Sequence, residues 1–161
     1  MQNVLFLCTD NAARSIMGEA LLRHWSDGQF TAFSAGSHPA GAVHPAALKL
    51  LDERGVIAHG LRCKSWNEFA NPHAPVMELV VTVCDAVANE TCPVLPGMPL
   101  RAHWSLPDPA AAIGGEAAVQ AAFATVFEQL EQRIAQLVTI PFADRDSKSV
   151  QADLESIAAI A

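Results

Sequence analysis

The sequence predicts an α/β three-layer sandwich built on a four-stranded parallel sheet, and three observations carry that expectation. Short apolar runs of the kind buried on both faces alternate with segments whose apolar residues recur at helical spacing. The order strand, helix, strand, helix, strand, strand, helix suits parallel strands joined by crossovers. At 161 residues, 51% of them apolar, the chain suits one domain with a sizeable core.

Each element follows from its own residues. Val4 to Leu7 is an unbroken apolar run, and the chain turns within a few residues into a helical pattern over 13–24. Ile16, Ala20, Leu21 and Trp25 mark the inward face of that helix, and Gly28 stands near its stop. Phe30 to Ala35 alternates as a short strand, and Gly36 after it allows a turn that other residues would resist. His44-Pro45 opens a second helix over 46–54, with Leu48, Leu50 and Leu51 expected in the core and Gly55 as its end. Residues 77–84, MELVVTVC, read as a third buried strand, and Leu100 to Trp104 as a weaker one.

A long helix is expected from Glu116 to Leu137, with Ala118, Ala122, Phe123, Val126, Leu130, Ile134 and Leu137 at helical spacing. Pro141 breaks it and 144–149 is a polar linker. A short helix over 150–161 would then leave Leu154, Ile157 and Ile160 either to fray at the surface or to meet a second copy. The expected division is a domain over 1–140 and a tail over 141–161, with the oligomeric state open.

Composition excludes several classes. A formal charge of −7 disfavours nucleic acid or an anionic membrane as partner, so an anionic ligand needs a local positive site. No apolar run is long enough to span a bilayer, and Met1 leads directly into a strand without a basic leader and cleavage site, so a cytoplasmic protein is expected. Four cysteines in such a chain suit catalysis or metal binding better than a disulfide framework. Paired C-x-x-C spacing and H-x-x-x-H pairs are absent, so no metal is expected. Cys63, isolated from the others, is expected to pack.

The chemistry gathers at the first turn. Cys8 ends the strand, Arg14 stands at the mouth of the helix and Ser15 follows it, giving C-x-x-x-x-x-R-S. A loop closing a strand onto a helix N-terminus turns backbone N–H groups inward. With the helix dipole and a guanidinium it makes a tetrahedral oxyanion site. Cys8 would sit at its floor as a nucleophile, its thiol pKa lowered by the amides and Arg14. Cys84 also ends a strand, and ligands of open α/β sheets gather at such ends, so Cys8 and Cys84 are expected to face one crevice. Between Cys84 and Cys92 the segment is a short helix or a mobile loop. In a helix the two sulfurs lie too far apart to bond, so joining them requires the segment to unwind or bend.

From Asn3 to about Leu137 these residues resemble the low-molecular-weight protein tyrosine phosphatase family, and more closely the arsenate reductases built on that fold. The resemblance implies a phosphatase-like sandwich in which Cys8, Thr9, Asp10, Asn11, Ala12, Ala13, Arg14 and Ser15 bind arsenate, with phosphate or sulfate as competing ions. Ser15 would favour the Cys8 thiolate and Asn11 would hold the loop's shape. Val81-Thr82-Val83-Cys84-Asp85 and Cys92-Pro93 match the two further cysteines of a redox relay. His103-Trp104-Ser105-Leu106-Pro107-Asp108-Pro109 resembles the loop that carries the catalytic acid, here Asp108. Thioredoxin, or glutaredoxin with glutathione, would return the thiols to the reduced state.

Some members bind potassium through an asparagine, a glutamate, a serine and an aspartate. The first three match Asn11, Glu19 and Ser34, and the fourth is Lys64, whose ammonium would replace the ion, so no cofactor is expected. Asp10 departs from the usual loop and is expected to face solvent. A phosphomonoesterase working through phosphocysteine at Cys8 is the alternative, but Ala110, Ala111 and Ala112 follow Asp108-Pro109 where tyrosine phosphatases carry aromatics. A third reading is a non-catalytic oxyanion-binding or redox-sensing partner.

Overall fold

The computed structural model describes residues 2–160. Four strands, β1 (Gln2–Cys8), β2 (Phe30–Gly36), β3 (Leu79–Thr82) and β4 (Leu100–His103), form a parallel sheet in the order β2-β1-β3-β4. β1 pairs with β2 from Gln2↔Phe30 to Cys8↔Gly36, and with β3 from Val4↔Leu79 to Leu7↔Thr82. Successive side chains of a strand point to opposite faces, and Val4 through Cys8 are all buried, so both faces of the sheet are covered. The strand order reverses between β1 and β3. That switch point opens a crevice outside their carboxyl ends, where Cys8 and Cys84 stand.

The helices are α1 (Arg14–Trp25), α2 (Pro45–Glu53), α3 (Asp85–Ala88), α4 (Glu116–Leu137) and α5 (Ser147–Ala158). α2 begins with Pro45 at its first position and His44 Nδ1 accepting from Ala46 N at 3.0 Å, and it ends at Gly55, whose φ of +71° only glycine adopts freely. Phe6 and Trp104, both fully buried, meet with ring centroids 5.9 Å apart beneath the crevice. Burying side chains of this size contributes about 2–3 kcal/mol each, which anchors the floor under the reactive loop.

Several expectations need correction. Leu48 is 39% exposed, because α2 buries Ala46, Ala47, Leu50 and Leu51, and a stripe at that spacing leaves position 48 outside. Trp25 is 46% exposed at the last turn of α1, its Nε1 donating to Glu131 at the surface. Gly36 does not need a positive φ. A Cβ there would stand 2.6 Å from Thr9 O and 2.9 Å from Asn11 N, so glycine is required by the close passage of the first loop. β3 is shorter than 77–84, although Glu78 and Val83 still donate to Asn3 and Leu7 of β1.

The C-terminal helix packs on its own chain. Val150, Leu154 and Ile157 are buried against the protein's own β4 and α4. The buried Arg133 of α4 donates to Ile160 O at 2.6 Å, and Gln151 donates to Arg101 O at 3.2 Å. α5 is capped by Asp146, whose Oδ1 accepts from Ser149 N at 2.7 Å. Among the described residues no helix is long and apolar enough to cross a membrane.

Candidate active site

The loop from Cys8 to Ser15 joins β1 to α1, and no side chain caps the helix start. Its first N–H groups therefore remain open to the loop's interior. Asn11 takes a left-handed conformation (φ +49°) and is fully buried. Its amide spans the loop, with Nδ2 donating to Ser15 Oγ at 2.7 Å and Oδ1 accepting from Lys64 N at 2.9 Å. The loop's shape thus depends on Asn11, the residue type that tolerates this backbone best after glycine.

Cys8 lies at the floor, wholly buried, 2.9 Å from Ser15 Oγ, and accepts from Asn11 N at 3.1 Å. Burial nevertheless pushes its thiol up to about 11, with Asp10 adding to the rise and the Ser15 and Asn11 hydrogen bonds opposing it. The expected lowering is therefore not found. Removing the thiolate from water outweighs three hydrogen bonds here, and a carboxylate has been added nearby. Asp10 does not face solvent either. Its Oδ1 accepts from the Cys8 thiol at 3.4 Å and from Ala12 N at 3.3 Å, so the carboxylate turns into the loop.

Arg14, the first residue of α1, is buried, and its Nη1 donates to Leu106 O at 3.0 Å. It thereby ties the loop to the segment that carries Asp108. Asp108 is exposed and begins a 3₁₀ turn over Pro109–Ala111, its Oδ1 accepting from Ala110 N at 3.0 Å. One carboxylate oxygen is engaged in holding that turn.

Cys84 caps α3 and is buried, with its Sγ 3.5 Å from Thr9 Oγ1. The structure thus brings the ends of β1 and β3 together through Thr9. α3 is helical only from Asp85 to Ala88, and Cys92 lies beyond it, half-buried in the wall of a cavity of about 260 Å³ shared with Thr82, Val87, Arg101 and His103. All four cysteines are free thiols.

Beneath the loop, Ser34 Oγ donates to Glu19 Oε1 at 2.6 Å, and Lys64 Nζ reaches Glu19 Oε1 at 3.6 Å and Ser34 Oγ at 3.5 Å. Lys64 also donates to Arg62 O at 2.9 Å, and Arg23 occupies the other oxygen of Glu19 at 2.7 Å. Burial pushes the Lys64 ammonium down, while Glu19 draws it back. Cys63 is more than filler, since its thiol donates to Asp10 O at 3.2 Å.

The sequence places His103 only at the start of the loop that leads to Asp108, without the partners that it has in the structure. Its Nδ1 is 2.7 Å from Thr82 Oγ1 and its Nε2 2.8 Å from Asp85 Oδ1, which ties β4 to the first residue of α3. His103, and next Ser105, hold the Asp85 carboxyl below its usual value, with a smaller contribution from Arg14. The available signal was its place at the carboxyl end of a strand, beside the crevice.

The model of the low molecular weight phosphotyrosine protein phosphatase family matches residues 3–155. The chain is 32% identical to an arsenate reductase of Halalkalibacterium halodurans over 81% of its length and 91% of that relative's. Among solved structures, the arsenate reductase of Archaeoglobus fulgidus superposes with a TM-score of 0.60 at 31% identity, covering 82% of this chain and 98% of that one. A thioredoxin-dependent arsenate reductase of Corynebacterium glutamicum gives a TM-score of 0.62 at 27% identity over 94% of this chain, which spans 63% of that longer protein.

Proposed function

The chain belongs to the low molecular weight phosphotyrosine protein phosphatase family, and within it we propose an arsenate reductase that turns arsenate into arsenite by a Cys8, Cys84, Cys92 relay. The loop from Cys8 to Ser15 binds the ion through its amides and Arg14. Cys8 Sγ attacks arsenic, forming an S–As bond while an As–O bond breaks. The departing oxygen leaves as water, taking one proton from the Cys8 thiol and one from Asp108.

Cys84 then attacks Cys8 Sγ as a thiolate. An S–S bond forms, the S–As bond breaks, and its electron pair goes to arsenic, reducing it by two electrons as two thiols are oxidised. Arsenite departs. Cys92 attacks Cys84, releasing Cys8 and moving the disulfide to Cys84–Cys92 as α3 unwinds. A thioredoxin-like dithiol reduces that bond, which suits a protein kept in the reducing cytoplasm.

The observation that carries this reading is the contact of Thr9 with Cys84, which puts a second buried thiol at the rim of the loop that holds the first. A phosphatase has no use for it. The alanines after Pro109 also offer no aromatic clamp for a phenyl ester.

The test is arsenate turnover with thioredoxin and with glutaredoxin/glutathione, offered separately, in the wild type, Cys84→Ser and Cys92→Ser. Multiple turnover is expected in the wild type with thioredoxin. Cys84→Ser should give no arsenite, and Cys92→Ser at most one equivalent. Wild-type rates in both variants with either donor would rule out the relay, and a wild type that forms no arsenite but hydrolyses a phosphate ester would leave a phosphomonoesterase as the better description.

A further inference from the structure

The Asp10 carboxylate turns inward where the sequence suggested that it would face solvent. Its Oδ1 lies 3.4 Å from Cys8 Sγ and 3.3 Å from Ala12 N, between the nucleophile and one of the amides that an oxyanion would approach. The residue is pinned on its backbone as well, since Asp10 O accepts from Ala40 N at 3.0 Å and from the Cys63 thiol at 3.2 Å. The carboxylate is a fixed part of the cup's wall.

We propose that Asp10 determines which tetrahedral oxyanions enter the loop: its carboxylate accepts a hydrogen bond from a hydroxyl on the ion, admitting arsenate and phosphate and rejecting sulfate. This deepens the reading of the loop as an oxyanion cup and rests on it. An ionised carboxylate can only accept. The Cys8 thiol supplies a hydrogen to it at 3.4 Å.

That hydrogen can turn instead to Ser15 Oγ, 2.9 Å from Cys8 Sγ, which leaves a lone pair of Oδ1 free to accept from the ion. An ion whose central atom stands over Cys8 Sγ carries oxygens within reach of Oδ1. Near neutral pH arsenate and phosphate keep at least one hydroxyl to offer. Sulfate has none, so its oxygens would set charge and lone pairs against the carboxylate. Specificity of this kind comes from the repulsive contact with the wrong ion as much as from the attractive one with the right ion. Enclosed sites built to pair with a substrate hydrogen reject analogues lacking it by about 10⁴-fold, and the half-buried Asp10 places the expected factor lower, at roughly tenfold or more.

Calorimetric titration of phosphate and of sulfate into the reduced full-length protein tests this at constant ionic strength and about pH 8. There hydrogen phosphate and sulfate carry nearly equal charge and differ chiefly by one hydrogen. The wild type is expected to prefer phosphate by about tenfold or more. Asp10→Asn and Asp10→Ser, each checked for folding by circular dichroism, should bring the two ions to similar affinity, chiefly by tightening sulfate. Equal binding in the wild type, or a preference that persists in the folded variants, overturns the role of Asp10 and leaves the cup intact. If neither ion binds any of the three proteins, the cup itself is wrong and this inference falls with it.

Discussion

His103 Nε2 lies 2.8 Å from Asp85 Oδ1, so the residue that follows Cys84 is tied across the crevice to the end of β4. The pair holds the first turn of α3, the segment that the proposed relay requires to unwind before Cys84 reaches Cys92. On that proposal the tie would favour the reduced form. Removing it with His103→Ala should raise amide exchange over 85–88 and speed formation of the Cys84–Cys92 disulfide under a fixed thiol/disulfide buffer. An unchanged oxidation rate would mean that α3 opens independently of β4.

The same tie has a pH signature. The folded state holds the Asp85 carboxyl below its ordinary value, so in the carboxylate range the unfolded chain binds more protons than the native one. The stabilisation is therefore present above about pH 4 and is lost as pH falls through the folded value. Exchange over 85–88 should rise on acidification through that range in the wild type and respond less in Asp85→Asn.

Cys8 behaves in the opposite sense. Its thiol is raised to about 11 from 9.0, so below pH 9 both states keep the proton, and between about 9 and 11 the unfolded chain sheds it first. Stability should fall over that window by roughly 3 kcal/mol, and Cys8→Ser should remove most of the slope. Alkylation of Cys8 by iodoacetamide should climb steeply above pH 9. Asp10→Asn should shift the alkylation curve to lower pH, because it removes a carboxylate that raises the thiol.

Gly36→Ala would place a methyl group 2.6 Å from Thr9 O and 2.9 Å from Asn11 N, both backbone atoms of the oxyanion loop. Neither is the end of a flexible side chain, so the loop must move. The expected cost is about 1–3 kcal/mol in stability, read by chemical denaturation, with phosphate affinity falling by more than that loss of stability alone would explain.

Lys64→Ala would strip the buried Glu19 and Ser34 of their ammonium while Arg23 continues to hold one Glu19 oxygen. A loss of about 1–3 kcal/mol is expected, below the full cost of breaking a buried pair, because Glu19 retains one partner. Wild-type turnover should be the same in potassium and in choline salts. A requirement for potassium would show that the ammonium does not fill the place of the ion.

The first strand, its turn and the first helix were legible because their signals are contiguous. The apolar run, the C-x-x-x-x-x-R-S spacing and the helix period lie within one stretch of chain and point to the same structure. The cysteine at the end of β3 was legible for a similar reason, since strand ends define the crevice. Burial was less so. Which side of α2 faces the core depends on where α4 lies, and that excluded Leu48 although its residue type suits the interior.

The sequence by itself determined the α/β class, the positions of the strands and the set of thiols, because periodicity and turn chemistry act over neighbouring residues. Tertiary structure alone decided that Asp10 turns towards Cys8, that Thr9 meets Cys84, that His103 ties Asp85 and that α5 closes over β4. The last three join residues distant in the chain, and Asp10 is held from beneath by Cys63 and Ala40. Their geometry follows from strand register and packing, which no local pattern encodes.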